Sequence, residues 1–257
     1  MSNSRAKPDL VLLHGMTSSD RAWTDLVPIL SRDFKVHTPN ALGHRHGEPV
    51  RGVTRMSDVV DDAQRYLDSQ GLSRPHLVGH SMGGHVAIEL ARRGRAASVT
   101  AISPSGFWPE GDGTPEAVMA GLQRSVRLAR WAGPAVKVLV SFAKGRRILM
   151  DTVVCYPERM SGAQGRGVIS DHAACTLGDG FVISDADRIA RLDPLPCPVT
   201  VVWAERDRIL PLVKCEPIVR ERIPGATFIV LPGVGHAAMV DDLDLVSHTI
   251  RGAIPLA

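Results

Sequence analysis

No uninterrupted apolar stretch in the 257 residues approaches the roughly 18 that a membrane-crossing helix needs, so no span is expected. Charge of one sign is also scarce. The formal net charge is only +3, with acidic and basic residues interspersed, and nothing in that balance argues for a nucleic-acid partner. Cysteine is sparse: Cys155, Cys175, Cys197 and Cys215 stand far apart and form neither a CxxC pair nor a His/Cys cluster. That spacing excludes a disulfide framework and a zinc site, so no metal or other cofactor is expected, and it suits reduced thiols in the cytoplasm. Residues 1–7 are polar and lack an apolar h-region, so no signal peptide is expected. Internal repeats and low-complexity tracts are missing too, and no feature specifies an oligomeric state. What is left is a soluble, cytoplasmic, enzyme-sized globular chain.

What is present is alternation. At 44% hydrophobic the chain can bury one large core. Asp9-Leu10-Val11-Leu12-Leu13 is a short continuous apolar run, the pattern of a strand covered on both faces of a parallel sheet. A helix is expected over 19–30 and a strand over 34–38. Met56, Val59, Val60, Ala63, Tyr66 and Leu67 recur at helical spacing, with Ser57 and Asp58 as start signals and Gly71 as the stop. Further strands are expected over 75–78, 98–102, 198–203 and 227–231, and further helices from residue 86, over 210–222 and over 240–253. Strands alternating with helices imply right-handed crossovers and a mostly parallel sheet covered on both faces. The fold class is α/β. Residues 104–193 interrupt the rhythm: no buried strand is evident between 106 and 175, and the helical segments are rich in Val, Leu and Met. They read as a helical insertion over the C-terminal edge of the sheet, where ligands bind in open α/β folds. The expected organisation is a core of 1–103 and 194–257 with a cap of 104–193.

The most informative segment is Gly79-His80-Ser81-Met82-Gly83-Gly84, which joins an apolar run to a helical one. A strand, a tight glycine-lined turn carrying serine, and a helix make a nucleophile elbow. Side chains at positions 79 and 83 would collide with the neighbouring strand and helix, and the turn sets Ser81 at a helix N-terminus, where developing negative charge is favoured. A serine hydroxyl needs a base oriented by a carboxylate. Trp203-Ala204-Glu205-Arg206-Asp207 supplies the acid just past a late strand, and Asp207 is better placed than Glu205, which comes almost directly off the strand. Leu231-Pro232-Gly233-Val234-Gly235-His236 supplies the histidine, His236, on a flexible loop after the next strand. The oxyanion requires two preorganised donors. Met82 N–H follows the nucleophile, and Met16 N–H sits in the Leu13-His14-Gly15-Met16 loop after the first strand. His14 reads as a structural histidine of that loop.

These motifs, in this order and at these intervals, resemble the α/β-hydrolase superfamily over essentially the whole chain. The spacing is most similar to compact members: carboxylesterases of the pimeloyl-carrier-protein methyl esterase type, plant methylesterases and hydroxynitrile lyases. The resemblance implies an α/β-hydrolase fold with about six strands and no N-terminal antiparallel hairpin. It also implies acylation of Ser81 followed by hydrolysis of the acyl-enzyme by water that His236 activates. The chain departs from many relatives at Pro39-Asn40-Ala41-Leu42-Gly43-His44-Arg45-His46-Gly47, where an acidic residue and Gly-His-Gly are common. His44 and His46 have metal-like spacing but no ligand beside them, so a loop role is expected. A serine rather than an aspartate nucleophile argues against epoxide hydrolase or haloalkane dehalogenase chemistry.

The expected substrate is a small or medium aliphatic ester, since the insertion carries Val118, Met119, Leu122, Val126, Leu128, Val138, Leu139, Val140 and Phe142. Many of these residues would simply pack the cap on the core. Between residues 117 and 150 there are seven basic residues and no acidic one. That stretch suits a solvated face whose long side chains cover apolar surface, or attraction of an acidic carrier or carboxylate. Two alternatives remain: a lyase using the same triad for acid–base work, and a non-catalytic ligand-binding protein on this fold.

Overall fold

The computed structural model describes residues 6–50, 52–177 and 180–255. Its centre is a six-stranded sheet in the order β2-β1-β3-β4-β5-β6. The strands are β1 (Asp9–Leu13), β2 (Lys35–His37), β3 (His76–His80), β4 (Ser98–Ile102), β5 (Val199–Ala204) and β6 (Thr227–Leu231). Every pairing is parallel. The first strand pairs only with parallel neighbours, and no N-terminal hairpin is present among the described residues. The helices are α1 (Val27–Leu30), α2 (Met56–Ser69), α3 (Met82–Arg92), α4 (Thr114–Ser141), α5 (Ala143–Met150), α6 (Gly162–Ala174), α7 (Leu212–Arg222), α8 (Ala238–Asp241) and α9 (Leu243–Ala253).

Alternation along each strand divides the core in two. Val11 and Leu13 join α2, α3 and α7 in one cluster, whereas Leu10 and Leu12 face α1, α8 and α9 in the other. β5 behaves alike, with Val199, Val201 and Trp203 on the first side and Val202 and Ala204 on the second. A strand covered on both faces is mostly apolar rather than alternating, which is why these segments read as near-continuous runs, with Thr200 the polar exception in β5.

Two helices differ from the sequence reading. The expected helix over 19–30 is a 3-10 turn at Asp20–Trp23 followed by the short α1. Pro28 accounts for the break: its ring lacks an N–H and excludes the carbonyl four residues back, so a helix can only start just before it. The expected helix over 240–253 is divided at Asp242. That residue is extended, and its side chain accepts from Leu245 N at 2.9 Å, capping α9 instead of continuing α8.

Between β4 and β5 the described residues add no strand to the sheet and hold α4, α5 and α6. These three helices share a small core of Ala129, Val136, Val140, Met150, Val154, Met160 and Ile169. α4 is interrupted at Ala132, two residues before Pro134.

The close approach that positions everything else is between the start of α3 and β1. A Cβ on Gly83 would lie 2.1 Å from the Leu13 carbonyl oxygen, and one on Gly79 would lie 2.1 Å from the Gly83 carbonyl oxygen. Gly83→Ala is therefore expected to lower stability by about 3 kcal/mol or to prevent folding. Gly121→Ala, on α4 with nothing within 4 Å of the added carbon, should raise it by up to about 1 kcal/mol. Chemical denaturation of the two variants checks this: equal effects would contradict the packing described here.

Candidate active site

Ser81 sits between β3 and α3 with φ 54° and ψ −117°, a strained backbone for a residue bearing a side chain. The strain is held by hydrogen bonds. Ser81 N donates to the Ile102 carbonyl at 2.9 Å, and its own carbonyl accepts from Gly84, His85 and Ser105 N–H. Gly15 brings the loop after β1 against the turn, because a Cβ there would meet Ser81 Cβ at 3.2 Å and the His80 ring at 3.0 Å. Met16 and Met82 N–H donate to no protein acceptor among the described residues.

The His14 ring fixes this loop. Its Nε2 accepts from Ala41 N at 3.1 Å, so the proton is on Nδ1, which donates to the Gly15 carbonyl at 2.8 Å. His44 repeats the device: Nε2 accepts from Thr17 N at 3.0 Å and Nδ1 donates to Leu42 O at 2.9 Å. The loop roles expected of both histidines are what the structure contains, and no group of three metal ligands occurs among the described residues. Thr17 itself has φ 62° and shares a 3.1 Å hydrogen bond with His172 of α6. Beside it the buried Asp171 carboxylate accepts from Ser19 Oγ at 2.6 Å and from Arg21 at 3.2 Å. α6 is thus tied to the loop that carries Met16.

At the ends of β5 and β6, His236 Nδ1 donates to Asp207 Oδ2 at 2.7 Å, with both side chains buried. The other Asp207 oxygen accepts from Ile209 and Leu210 N–H at 2.9 and 2.8 Å. Burial alone would raise the Asp207 carboxyl, but the charge and hydrogen bond of His236, with those two N–H groups, hold it below its ordinary range. Glu205 points elsewhere and accepts from Gly233 N at 2.7 Å. The Ser81 hydroxyl is not hydrogen-bonded to His236. The two are linked through His80, whose Nε2 donates to the His236 carbonyl at 2.9 Å and whose ring lies 4.7 Å from that of His236. Catalytic hydrogen bonds are often long in the absence of substrate.

Two groups went unread in the sequence. Asp241, almost fully buried, accepts from Gly235, Cys155 and Tyr156 N–H at 2.7, 2.8 and 2.7 Å, anchoring the His236 loop to the segment after α5. An aspartate five residues past a glycine-flanked histidine is the only signal the chain offered for it. The second is a pair, Ser105 and Trp108, after β4. With Met16, Met56, Ser81 and Met82 they line a narrow cavity closed by Pro115, Val118, Met119 and Leu122 of α4 and by Ile183, Ile209 and Leu210. Ser105 Oγ and Trp108 Nε1 have no hydrogen-bond partner among the described residues. Of the apolar residues expected in a pocket, Val118, Met119 and Leu122 are there. Val126 and Val140 are core, and Leu128, Val138, Leu139 and Phe142 face solvent.

The Alpha/beta hydrolase family profile matches residues 10–248. The chain belongs to this family. It is 30% identical to an epoxide hydrolase of Mycobacterium tuberculosis over 199 residues, 76% of this chain and 93% of that protein. It is 28% identical to a pimeloyl-[acyl-carrier protein] methyl ester esterase of Aromatoleum aromaticum, covering 96% of this chain and 99% of that protein. Among solved structures, the enol-lactonase of Burkholderia xenovorans LB400 superposes with a TM-score of 0.68 at 19% identity, over 98% of this chain and 93% of that one. At that identity the match speaks for the fold alone. Membership makes the chain a hydrolase-type enzyme of the α/β class, and no helix among the described residues is long and apolar enough to cross a membrane.

The buried histidines of this α/β-hydrolase set its acid limit. Burial pushes His14 and His80 down to about 3 and His44 and His85 down to about 4. Each stays neutral when folded but binds a proton near its ordinary 6.5 once unfolded. Their contribution to stability is complete above that value and falls as pH drops through it towards 4. Asp207, shifted down from 3.8, withdraws its share only below that point. Denaturation at several pH values should show stability falling by several kcal/mol per unit between pH ~6 and ~4.5. A flat profile there would contradict neutral burial of these rings.

Proposed function

We propose that this chain is a serine carboxylesterase acting on small or medium aliphatic esters. The observation that carries the reading is the pairing of His236 with a buried, low-pKa Asp207 on loops beside a serine held in a strained turn. In the proposed mechanism His236 takes the Ser81 proton as Oγ attacks the ester carbonyl. Met16 and Met82 N–H receive the oxyanion, each such donor contributing roughly 3 kcal/mol to the barrier reduction. His236 then gives its proton to the leaving alcohol. Next it accepts a proton from the water that attacks the acyl-enzyme, and as the second intermediate breaks its bond to Ser81 Oγ the ring returns that proton to Oγ and the acid leaves. Asp207 keeps the Nδ1–H tautomer and stabilises the imidazolium. The methionine- and leucine-rich cavity wall supports an aliphatic chain, and the unpartnered Trp108 N–H and Ser105 hydroxyl suit an oxygen atom carried on it.

The epoxide hydrolase relative motivates a second reading, which chemistry disfavours. Opening an epoxide with Ser81 Oγ would leave a dialkyl ether with no carbonyl for water to attack, so the enzyme could not turn over. A fluorophosphonate probe should label Ser81. Ser81→Ala should lower kcat/KM for short p-nitrophenyl esters on the order of a thousandfold or more, and styrene oxide should not be turned over. An unlabelled folded protein, ester hydrolysis surviving in Ser81→Ala, or catalytic opening of the epoxide would each refute the esterase reading. Asp207→Asn should keep the fold and lose about 10⁴ in kcat, because the wrong histidine tautomer is then favoured.

A further inference from the structure

α4 has sides with different surroundings. Near its start, Pro115, Val118, Met119 and Leu122 close the Ser81 cavity, and further on Val126, Ala129, Val136 and Val140 are buried. Its outer side carries further apolar side chains, and none of the described residues covers them. Trp131 is 87% exposed, Phe142 64% and Val138 63%, and Ile148 of α5 is 71% exposed. Leu128 and Trp131 precede the break at Ala132, Val138 follows it, and Phe142 stands at the junction of α4 and α5; all four are exposed. Exposing Trp131 is out of keeping with the rest of the molecule, where Trp23, Trp108 and Trp203 are at most 2% exposed.

Cations accompany these side chains. Arg124, Arg127, Lys137 and Lys144 lie along α4 and the start of α5, and none pairs with a carboxylate among the described residues. Arg146 does not belong with them, since its buried guanidinium donates to the carbonyls of Val140, Ser141 and Pro157. No acidic residue lies between positions 117 and 150.

We propose that this face docks on an anionic lipid bilayer, with Trp131, Val138, Phe142 and Ile148 entering the interface and Arg124, Arg127, Lys137 and Lys144 meeting headgroup phosphates. Three observations favour lipid over a protein occupant. The uniform positive charge opposes pairing of this face with its copy on a second chain. The apolar side chains stand outward from a helix rather than lining a groove, which suits a fluid surface that moulds around them. A basic helix carrying Trp and Phe beside its cations is the composition of an interfacial, non-spanning helix. Docking would also hold the cavity end of α4 near bilayer-dissolved apolar molecules. The proposal is independent of the ester chemistry.

The molecule carries its own reporter, because Trp131 is its one exposed tryptophan. The full chain is mixed with phosphatidylcholine vesicles containing one-third phosphatidylglycerol, and with vesicles of phosphatidylcholine alone. Co-sedimentation with the anionic vesicles, weakened by salt, and a blue shift of tryptophan emission are expected. Replacing Arg127, Lys137 and Lys144 together with Gln should lower the partition coefficient by about fivefold per cation, on the order of a hundredfold in all. Trp131→Ala should abolish the blue shift and weaken binding. Circular dichroism and melting establish that both variants are folded. No partition into anionic vesicles, partition with Trp131 emission unshifted, or unchanged partition of the triple variant would overturn the proposal. So would a concentration-dependent dimer, or binding to an acidic protein without binding to vesicles, that buries Trp131.

Discussion

The architecture depends on one contact between backbones. The first turn of α3 lies against β1 so closely that a single carbon at Gly83 would overlap the Leu13 carbonyl. That approach lets the chain reverse between β3 and α3 in one residue, and it holds Ser81 at φ 54°. It also brings the loop after β1 beside the serine, so that Met16 and Met82 N–H are both left without protein acceptors there. A site of this kind does not need flexible side chains to find one another. The candidate donors are main-chain groups, and their positions follow from how tightly a helix packs on a strand.

Around that contact the protein uses buried neutral imidazoles as hydrogen-bonding struts. His14 and His44 each accept a hydrogen bond from one loop N–H and donate one to a carbonyl, and His80 ties the serine turn to the His236 loop. A charged group in these places would bear a large desolvation cost, whereas a neutral ring is satisfied by one donor and one acceptor. Asp241 and Asp171 solve the complementary problem. Each is buried among several donors and joins a loop of the sheet edge to the helices between β4 and β5. The arrangement couples those helices to both halves of the candidate site.

What could be read in the sequence was what depends on local pattern. Short segments rich in Val, Leu and Ile mark strands, so β1, β4 and β6 fall where expected, and the glycines of the turn are legible because only glycine fits. The contact between Asp207 and His236 was legible because each lies on the loop just after a strand at the same edge of the sheet. The breaks in helices were not, since Pro28 and Asp242 stop a helix through geometry that apolar periodicity does not record. The apolar residues of α4 were the least legible. Leu122 and Leu139 are the same residue type, yet one lines the cavity and the other meets solvent, because only the tertiary path of the helix decides which side is covered.

The central claim is that an acyl group passes from the ester to Ser81 Oγ and then to water. The most direct test is rapid-quench mass spectrometry of the enzyme mixed with an activated short-chain ester. The account predicts a burst of released alcohol approaching one equivalent, with the acyl mass on the peptide that contains Ser81. Acyl mass on another residue, or steady hydrolysis with no covalent adduct at any time, would contradict it.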